Sequence, residues 1–390
     1  MYDFDSPIDR RGTDSVKWMA GGACHSSIWP DVIPMWVADM DFASPPAVAL
    51  AIRRRAEHPV YGYSMKTEAF FHSYLDWMGS RHGLAIEREW LSFSPGIVPA
   101  IATAVRALTE PGDGVAIMPP VYHPFRNMVE KNGRIVVEAP LSRSDGRYGI
   151  DLGALDAACS RSRLLVLCSP HNPVGRVWTR DELEAVFDIA ERRDVIVFSD
   201  EIHGDLVYDD GRMVPSLALG GGATDRLIAA WAPSKTFNIA GLQASFIVTP
   251  DPAIRARFDA ESEATGIGSP NCLAQDAVIA AYREGSAWLD EALRHMRGNY
   301  DALVSGLEAR VPGIRAYPLE GTYLAWLDFR GVGLQGDVGA EIVERAGLWL
   351  DAGLRFGSAG AGFARMNLGC PRRTVETAVE RLAAAFGPGA

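Results

Sequence analysis

Three polar residues, each closing a short apolar run, are where this sequence of 390 residues offers chemistry. Leu164-Leu-Val-Leu-Cys168 leads through Ser-Pro-His to Asn172. Val195-Ile-Val-Phe-Ser199 ends in Asp200, and Leu227-Ile-Ala-Ala-Trp231 leads through Ala-Pro-Ser to Lys235. Short apolar runs bounded by turn residues predict buried strands. Strands that alternate with helical stretches imply parallel pairing and right-handed crossovers. Open sheets of that kind bind ligands outside the carboxyl ends of their strands. An amide, a carboxylate and an amine are therefore expected along one sheet edge. Partly desolvated there, the Lys235 ammonium would have a lowered pKa and become a candidate amine nucleophile or base. Taken alone it reads as a solvated loop lysine; the convergence of three such residues is what predicts a pocket.

Other stretches are compatible with that pocket but do not require it. Ser94-Pro95-Gly96 turns a brief strand into a helix, and the N–H groups at such a helix start favour a phosphate. Tyr122 follows the apolar run Val115-Ala-Ile-Met118, where an aromatic either stacks on a flat ring ligand or joins the core. Tyr61-Gly62-Tyr63 reads as a turn with packed rings, and Ile33-Pro-Met-Trp-Val-Ala-Asp-Met-Asp-Phe42 as an N-terminal strand or arm. The glycine-rich run from Gly357 to Gly369 mimics a dinucleotide loop. It follows no clear strand and opens no helix, so a dinucleotide site is not expected.

The elements that must position these residues are legible as periodic stretches. Residues 46–57 predict a helix with Val48, Ile52 and Ala56 on one face. Thr179-Arg-Asp-Glu182 is a capping box opening a helix with Leu183, Val186, Phe187 and Ala190 inward. A long helical stretch carries Trp288, Leu289, Ala292, Leu293, Met296, Tyr300, Leu303 and Leu307, and an amphipathic C-terminal helix carries Val375, Val379, Leu382 and Phe386. The expected fold is α/β. A large domain over residues 46–284 holds a mostly parallel mixed sheet flanked by helices, and a small α+β domain combines residues 1–45 and 285–390.

Composition narrows the partners. Hydrophobic content of 48% and charged content of 22% are ordinary for a globular protein. A formal net charge of −11 argues against nucleic acid or an anionic membrane as main partner. The five cysteines are scattered without a C-x-x-C pair, which suggests neither a zinc site nor a disulfide framework. The N-terminus shows no signal-peptide pattern, and no apolar run approaches the roughly 20 residues needed to span a bilayer. A cytoplasmic location is expected.

Six motifs, in order, carry a resemblance. Ser234-Lys-Thr-Phe-Asn-Ile-Ala-Gly-Leu-Gln243 resembles the lysine motif of fold-type I pyridoxal-phosphate enzymes, the class I/II aminotransferase superfamily. Trp36-Val-Ala-Asp-Met-Asp-Phe42, Gly62-Tyr-Ser64, Ser199-Asp-Glu-Ile-His203, Thr322-Tyr-Leu-Ala-Trp-Leu-Asp328 and Phe363-Ala-Arg-Met-Asn-Leu-Gly-Cys-Pro371 make the chain similar to its cystathionine β-lyase (MalY/PatB) branch. The resemblance implies pyridoxal 5′-phosphate held on the Lys235 amine, which would also remove the substrate Cα proton. It implies Asp200 on the pyridinium nitrogen, Asn172 and His203 on the ring 3′-oxygen, and Tyr122 stacked on the ring. The phosphate would be held by the backbone N–H groups of Ile97 and Val98, the Ser234 hydroxyl, and Tyr63 from a second subunit, which implies a homodimer. Arg365 would grip the substrate α-carboxylate, with Trp36 and Ala38 also lining the substrate site. Aminotransferases of this class usually carry arginine eight positions after the lysine; Gln243 stands there. A carbon–sulfur β-lyase acting on cystathionine or related S-substituted L-cysteines is therefore expected. An aminotransferase on the same scaffold, or a regulatory protein that binds a partner, are the alternatives.

Overall fold

The computed structural model describes residues 2–19, 29–144, 146–208 and 213–389. Its central sheet has seven strands: β1 (Leu91–Ser94), β2 (Gly114–Ile117), β3 (Ile135–Glu138), β4 (Leu164–Cys168), β5 (Ile196–Asp200), β6 (Leu227–Trp231) and β7 (Ser245–Val248). Their spatial order is β1-β7-β6-β5-β4-β2-β3. Strands β3, β2, β4, β5 and β6 pair in parallel, while β7 runs antiparallel to both β6 and β1. Two successive reversals return β1 to the common direction. The carboxyl ends of β1, β2, β4, β5 and β6 therefore share one edge.

The strands are apolar because both faces are covered. Val166, Phe198 and Ile228 pack with Ile101 and Val105 of helix Ile97–Leu108 and with Phe258. Leu165, Leu167, Val197, Ala229 and Phe246 face the opposite layer, where Phe70 and Tyr74 of helix Glu68–His82 stack on Phe246. Burying a side chain of this size contributes roughly 1.5–3 kcal/mol, so the core fixes the strand ends that carry Asn172, Asp200 and Lys235.

The capping box forms as expected. Thr179 Oγ1 accepts the Glu182 N–H at 3.2 Å, and Glu182 Oε2 accepts the Thr179 N–H at 2.8 Å. Helix Arg180–Arg192 buries Leu183, Val186, Phe187 and Ala190. Helix Pro46–Glu57 forms over the expected residues. It rests on helix Cys272–Glu284 and fully buries Val48 alone; Ile52 is partly covered and Ala56 is exposed. A helix lying on the surface needs a shorter apolar face than its sequence period offers.

A four-stranded antiparallel sheet follows helix Ser286–Arg310, in the order Arg315–Ala316, Leu324–Asp328, Phe363–Asn367, Asp351–Ala352. Its register sets Arg365 between Trp326 and Asp351. The N-terminal arm joins this region, because Ile33–Pro34 pairs in parallel with Leu348–Trp349. The glycine-rich run supplies the short turn Ser358–Gly360, which packs backbone to backbone on the preceding turn Gly353–Phe356. A Cβ on Gly353 would lie 2.1 Å from the Gly360 carbonyl oxygen. Among the described residues no helix is long and apolar enough to cross a membrane.

Candidate active site

The shared strand edge opens into a cavity of about 330 Å³ between the central sheet, the N-terminal arm and the four-stranded sheet. Lys235 reaches it from the short helix Pro233–Thr236 that follows β6. That helix is anchored from below: Thr236 Oγ1 donates to the buried Asp205 carboxylate at 2.7 Å, which also accepts from Trp77 Nε1 (3.0 Å) and bonds His82 Nε2 (2.8 Å). Lys235 Nζ donates to the Ala38 carbonyl oxygen at 2.6 Å, and the Tyr323 hydroxyl donates to the same oxygen at 2.8 Å. Asn238 fastens the arm that carries Ala38. Its Oδ1 accepts the Met40 N–H, and its Nδ2 donates to the carbonyls of Met40 and Phe42. Burial pulls the Lys235 pKa down to about 8, with the Asp39 charge opposing and Arg365 adding to the drop. The amine is thus within reach of neutrality at physiological pH.

Asp200 closes β5 and is buried. One oxygen accepts the Ile202 N–H at 3.2 Å. Burial raises its pKa to about 7, against the lowering effects of that N–H and of Lys235. A carboxylate so placed calls for a cation or a protonated heterocycle as partner. His203 is buried nearby; burial holds its pKa well below the ordinary value, and its Nδ1 finds no partner. Asn172 Oδ1 accepts from Arg365 Nη1 at 2.9 Å. That bond turns the amide so that Nδ2 is left as the donor for a ligand.

Tyr122 lines the same wall, and burial raises its phenol pKa, keeping the ring neutral. Its N–H donates to the Asn172 carbonyl, which ties two strand ends together. Helix Ile97–Leu108 points its start into the cavity, with Gly96 before it and no side-chain cap. Within the helix the first acceptor used is Gly96 O, by Ala100 N–H, so the N–H groups of Ile97 and Val98 stay open for an anion. Ser234 and Gln243 complete that end.

Arg365 lies on the opposite wall, buried in the four-stranded sheet. It donates to Asn172 Oδ1, to the Trp36 carbonyl (2.8 Å) and to Asp351 Oδ2 (2.8 Å), while its Nε is buried without a partner. Trp36 itself stacks on Trp349 at 4.5 Å.

Of the residues expected from the sequence, Lys235, Asp200, Tyr122, Ile97, Val98, Asn172, His203, Ser234, Arg365, Trp36 and Ala38 all line this one cavity. Tyr63 does not: it is fully exposed, outside the cavity wall built by its own chain. The sequence reading missed Asp205, His123 and Asp351, and gave Arg355 no role of its own. Only Asp351 left a trace, as a lone charge closing the apolar stretch Leu348-Trp-Leu350.

These groups fit pyridoxal phosphate on structural grounds. A buried acid has no ion-pair partner among the described residues, His203 Nδ1 lacks a partner, an uncapped helix start faces the cavity, and an amine of lowered pKa lines the same space. Residues 30–382 match the family aminotransferase class I and II, and the chain belongs to that family. Cystathionine beta-lyase PatB of Bacillus subtilis (strain 168) is 40% identical over 387 residues, covering 98% of this chain and 100% of its own length. The crystal structure of cystalysin from Treponema denticola, which contains a pyridoxal 5′-phosphate cofactor, superposes with a TM-score of 0.95 at 36% identity, over 99% of this chain and 98% of its own. A pyridoxal-phosphate-bound C–S lyase from Staphylococcus hominis superposes with a TM-score of 0.92 at 30% identity, again over 99% and 98%. The sheet and its flanking helices are those of fold-type I.

Proposed function

We propose that this chain is a pyridoxal-phosphate-dependent carbon–sulfur β-lyase that converts S-substituted L-cysteines, such as cystathionine, to a thiol, pyruvate and ammonia. One observation carries the reading: a single cavity is lined by an amine near neutrality, a buried acid with no ion-pair partner among the described residues, and a buried guanidinium with a spare donor.

Lys235 would hold the cofactor covalently through its amine, and Asp200 would pair with the ring nitrogen. Asn172 Nδ2 and His203 would bond the ring oxygen, and Tyr122 would cover one ring face. The Ile97 and Val98 N–H groups and the Ser234 hydroxyl would take the phosphate. When bound, pyridoxal phosphate supplies a protonated heteroaromatic ring that withdraws electrons from substrate Cα. Arg365 holds the substrate α-carboxylate through its guanidinium, whose Nε has no partner of its own, with Trp36 and Ala38 at the same wall. Once the substrate amine has displaced it from the cofactor, the freed Lys235 amine would take the Cα proton. The electron pair left behind forms the Cα–Cβ double bond as the Cβ–S bond breaks, and sulfur departs as thiolate. Water then releases pyruvate and ammonia.

Gln243 supports lyase over transaminase chemistry, because the phosphate lacks the arginine that aminotransferases of this class usually place there. The reading includes a cytoplasmic homodimer in which Tyr63 reaches the phosphate of the other copy. Its support is the exposed run Val60, Tyr61, Tyr63 and Met65, apolar surface of the kind that marks a protein contact. It also includes a large domain of residues 46–284 and a small one built from residues 1–45 and 285–390, supported by the pairing of Ile33–Pro34 with Leu348–Trp349.

The test is Lys235→Ala. The wild-type protein should take up pyridoxal phosphate with a visible absorbance band and release pyruvate from cystathionine. The variant should lose the band, and turnover should fall by at least about a thousandfold. A yellow, active variant would remove Lys235 from the chemistry.

A further inference from the structure

The mouth of the cavity carries a second guanidinium. We propose that Arg355 determines specificity for the group beyond sulfur, favouring S-substituted cysteines whose substituent ends in a carboxylate over those ending in an amine. This rests on the lyase reading and adds to it the chemical class of the substituent.

The charges on this wall do not cancel. Asp351 is buried and shared, its Oδ2 accepting from Arg365 Nη2 at 2.8 Å and its Oδ1 from Arg355 Nη1 at 2.7 Å. One carboxylate against two guanidinium groups leaves a positive excess. His123 adds no charge: burial and the neighbouring Arg355 hold its pKa down to about 4, and its Nε2 lies 3.3 Å from Arg355 Nη2. The only carboxylates lining the cavity, among the described residues, are Asp200 at its floor and Asp351. Asp351 is buried and already faces both guanidinium groups, so a distal ammonium meets net positive charge on this wall.

Depth orders the two arginines. The Arg365 side chain is 3% exposed and that of Arg355 43%, on one wall. The inner guanidinium suits the α-carboxylate, and the outer one meets what extends from sulfur toward solvent. Arg355 lies over the Trp36 ring at 5.7 Å, which limits where its head can go. Its turn is also clamped. The Val121 N–H donates to the Phe356 carbonyl at 2.9 Å, and a Cβ on Gly357 would lie 2.9 Å from the Pro119 side chain. Arg355 is thus presented from a fixed frame beside Tyr122 rather than from a free loop.

The experiment uses the holoenzyme and three compounds of similar length: S-(2-carboxyethyl)-, S-propyl- and S-(2-aminoethyl)-L-cysteine, scored by pyruvate release. The wild-type kcat/KM should rank carboxylate, then propyl, then amine, with the ends at least about tenfold apart. Added salt should compress that range, since Arg355 is half-exposed. Arg355→Gln should raise KM for the carboxylate compound about tenfold more than for the propyl one, with the kcat ratio unchanged. A wild-type enzyme that favours the amine, or a variant that shifts all three KM values alike, overturns the role of Arg355. Should the variant fail to fold, the wild-type ranking and its salt dependence decide. Failure of all three compounds to yield pyruvate in a pyridoxal-phosphate-loaded protein would instead bring down the lyase reading, and this inference with it.

Discussion

At the end of β5 the chain buries the Asp200 carboxyl with one backbone N–H for company, and burial lifts its pKa from the ordinary value of 3.8 to about 7. A folded-state pKa above the unfolded one means that the folded chain holds a proton the unfolded chain releases. The stabilising contribution is complete below pH 3.8 and is lost as pH rises through about 7. In the cofactor-free protein, Asp200→Asn should therefore raise stability at pH 8, by roughly 1–3 kcal/mol because nearby Lys235 offsets part of the burden. The gain should fade as pH falls toward 4, read by urea unfolding across that range. Turnover should fall at least about a hundredfold in the same variant, since an amide cannot hold the ring nitrogen protonated. A variant no more stable than wild type at pH 8 would mean that the acid is already compensated. Asp200, Asn172 and Lys235 were legible in the sequence because each closes an apolar run. Asp351 and Arg355 were not: their meaning comes from the register that sets Asp351 beside Arg365, a pairing between strands that no local pattern announces.

Among the elements, the helix Pro233–Thr236 has only four residues and cannot hold itself. Its position depends on the Asp205 carboxylate, which gathers the Thr236 hydroxyl, the Trp77 indole and the His82 ring in the core beneath Lys235. Asp205→Ala would strand the buried Thr236 hydroxyl and Trp77 indole and the partly buried His82 ring, at a cost of about 2–4 kcal/mol in urea unfolding. Asp205→Asn, which keeps the shape and some of the bonds, should cost less and recover part of the turnover. Equal stability for all three proteins would show that the network does not hold the lysine. The long elements were readable from period alone, as the helices Arg180–Arg192 and Ser286–Arg310 show. The exposure of Ala56 on that face has a plain cause: periodicity reports which face is apolar, not how far a neighbouring helix extends to cover it. Asp205 was silent because its partners come from sequence positions as distant as Trp77, separated by 128 residues.

For the whole molecule, the exposed side chains Val60, Tyr61, Tyr63 and Met65 lie on the segment between helices Pro46–Glu57 and Glu68–His82. If Tyr63 completes the site of a second copy, two defective subunits should repair each other. Tyr63→Ala and Lys235→Ala proteins, each inactive, are unfolded together and refolded as a one-to-one mixture. Random pairing leaves one complete site in each mixed dimer, so about a quarter of wild-type activity should return. No recovery, in a mixture shown to contain mixed dimers, would place Tyr63 outside the site. The reaction itself is read from a product balance over many turnovers. With cystathionine as substrate and no keto acid present, pyruvate and thiol should accumulate in equal amounts, far beyond one equivalent per site. Product that stops at one equivalent, or that appears only when a keto acid is supplied, would contradict it and identify transamination instead.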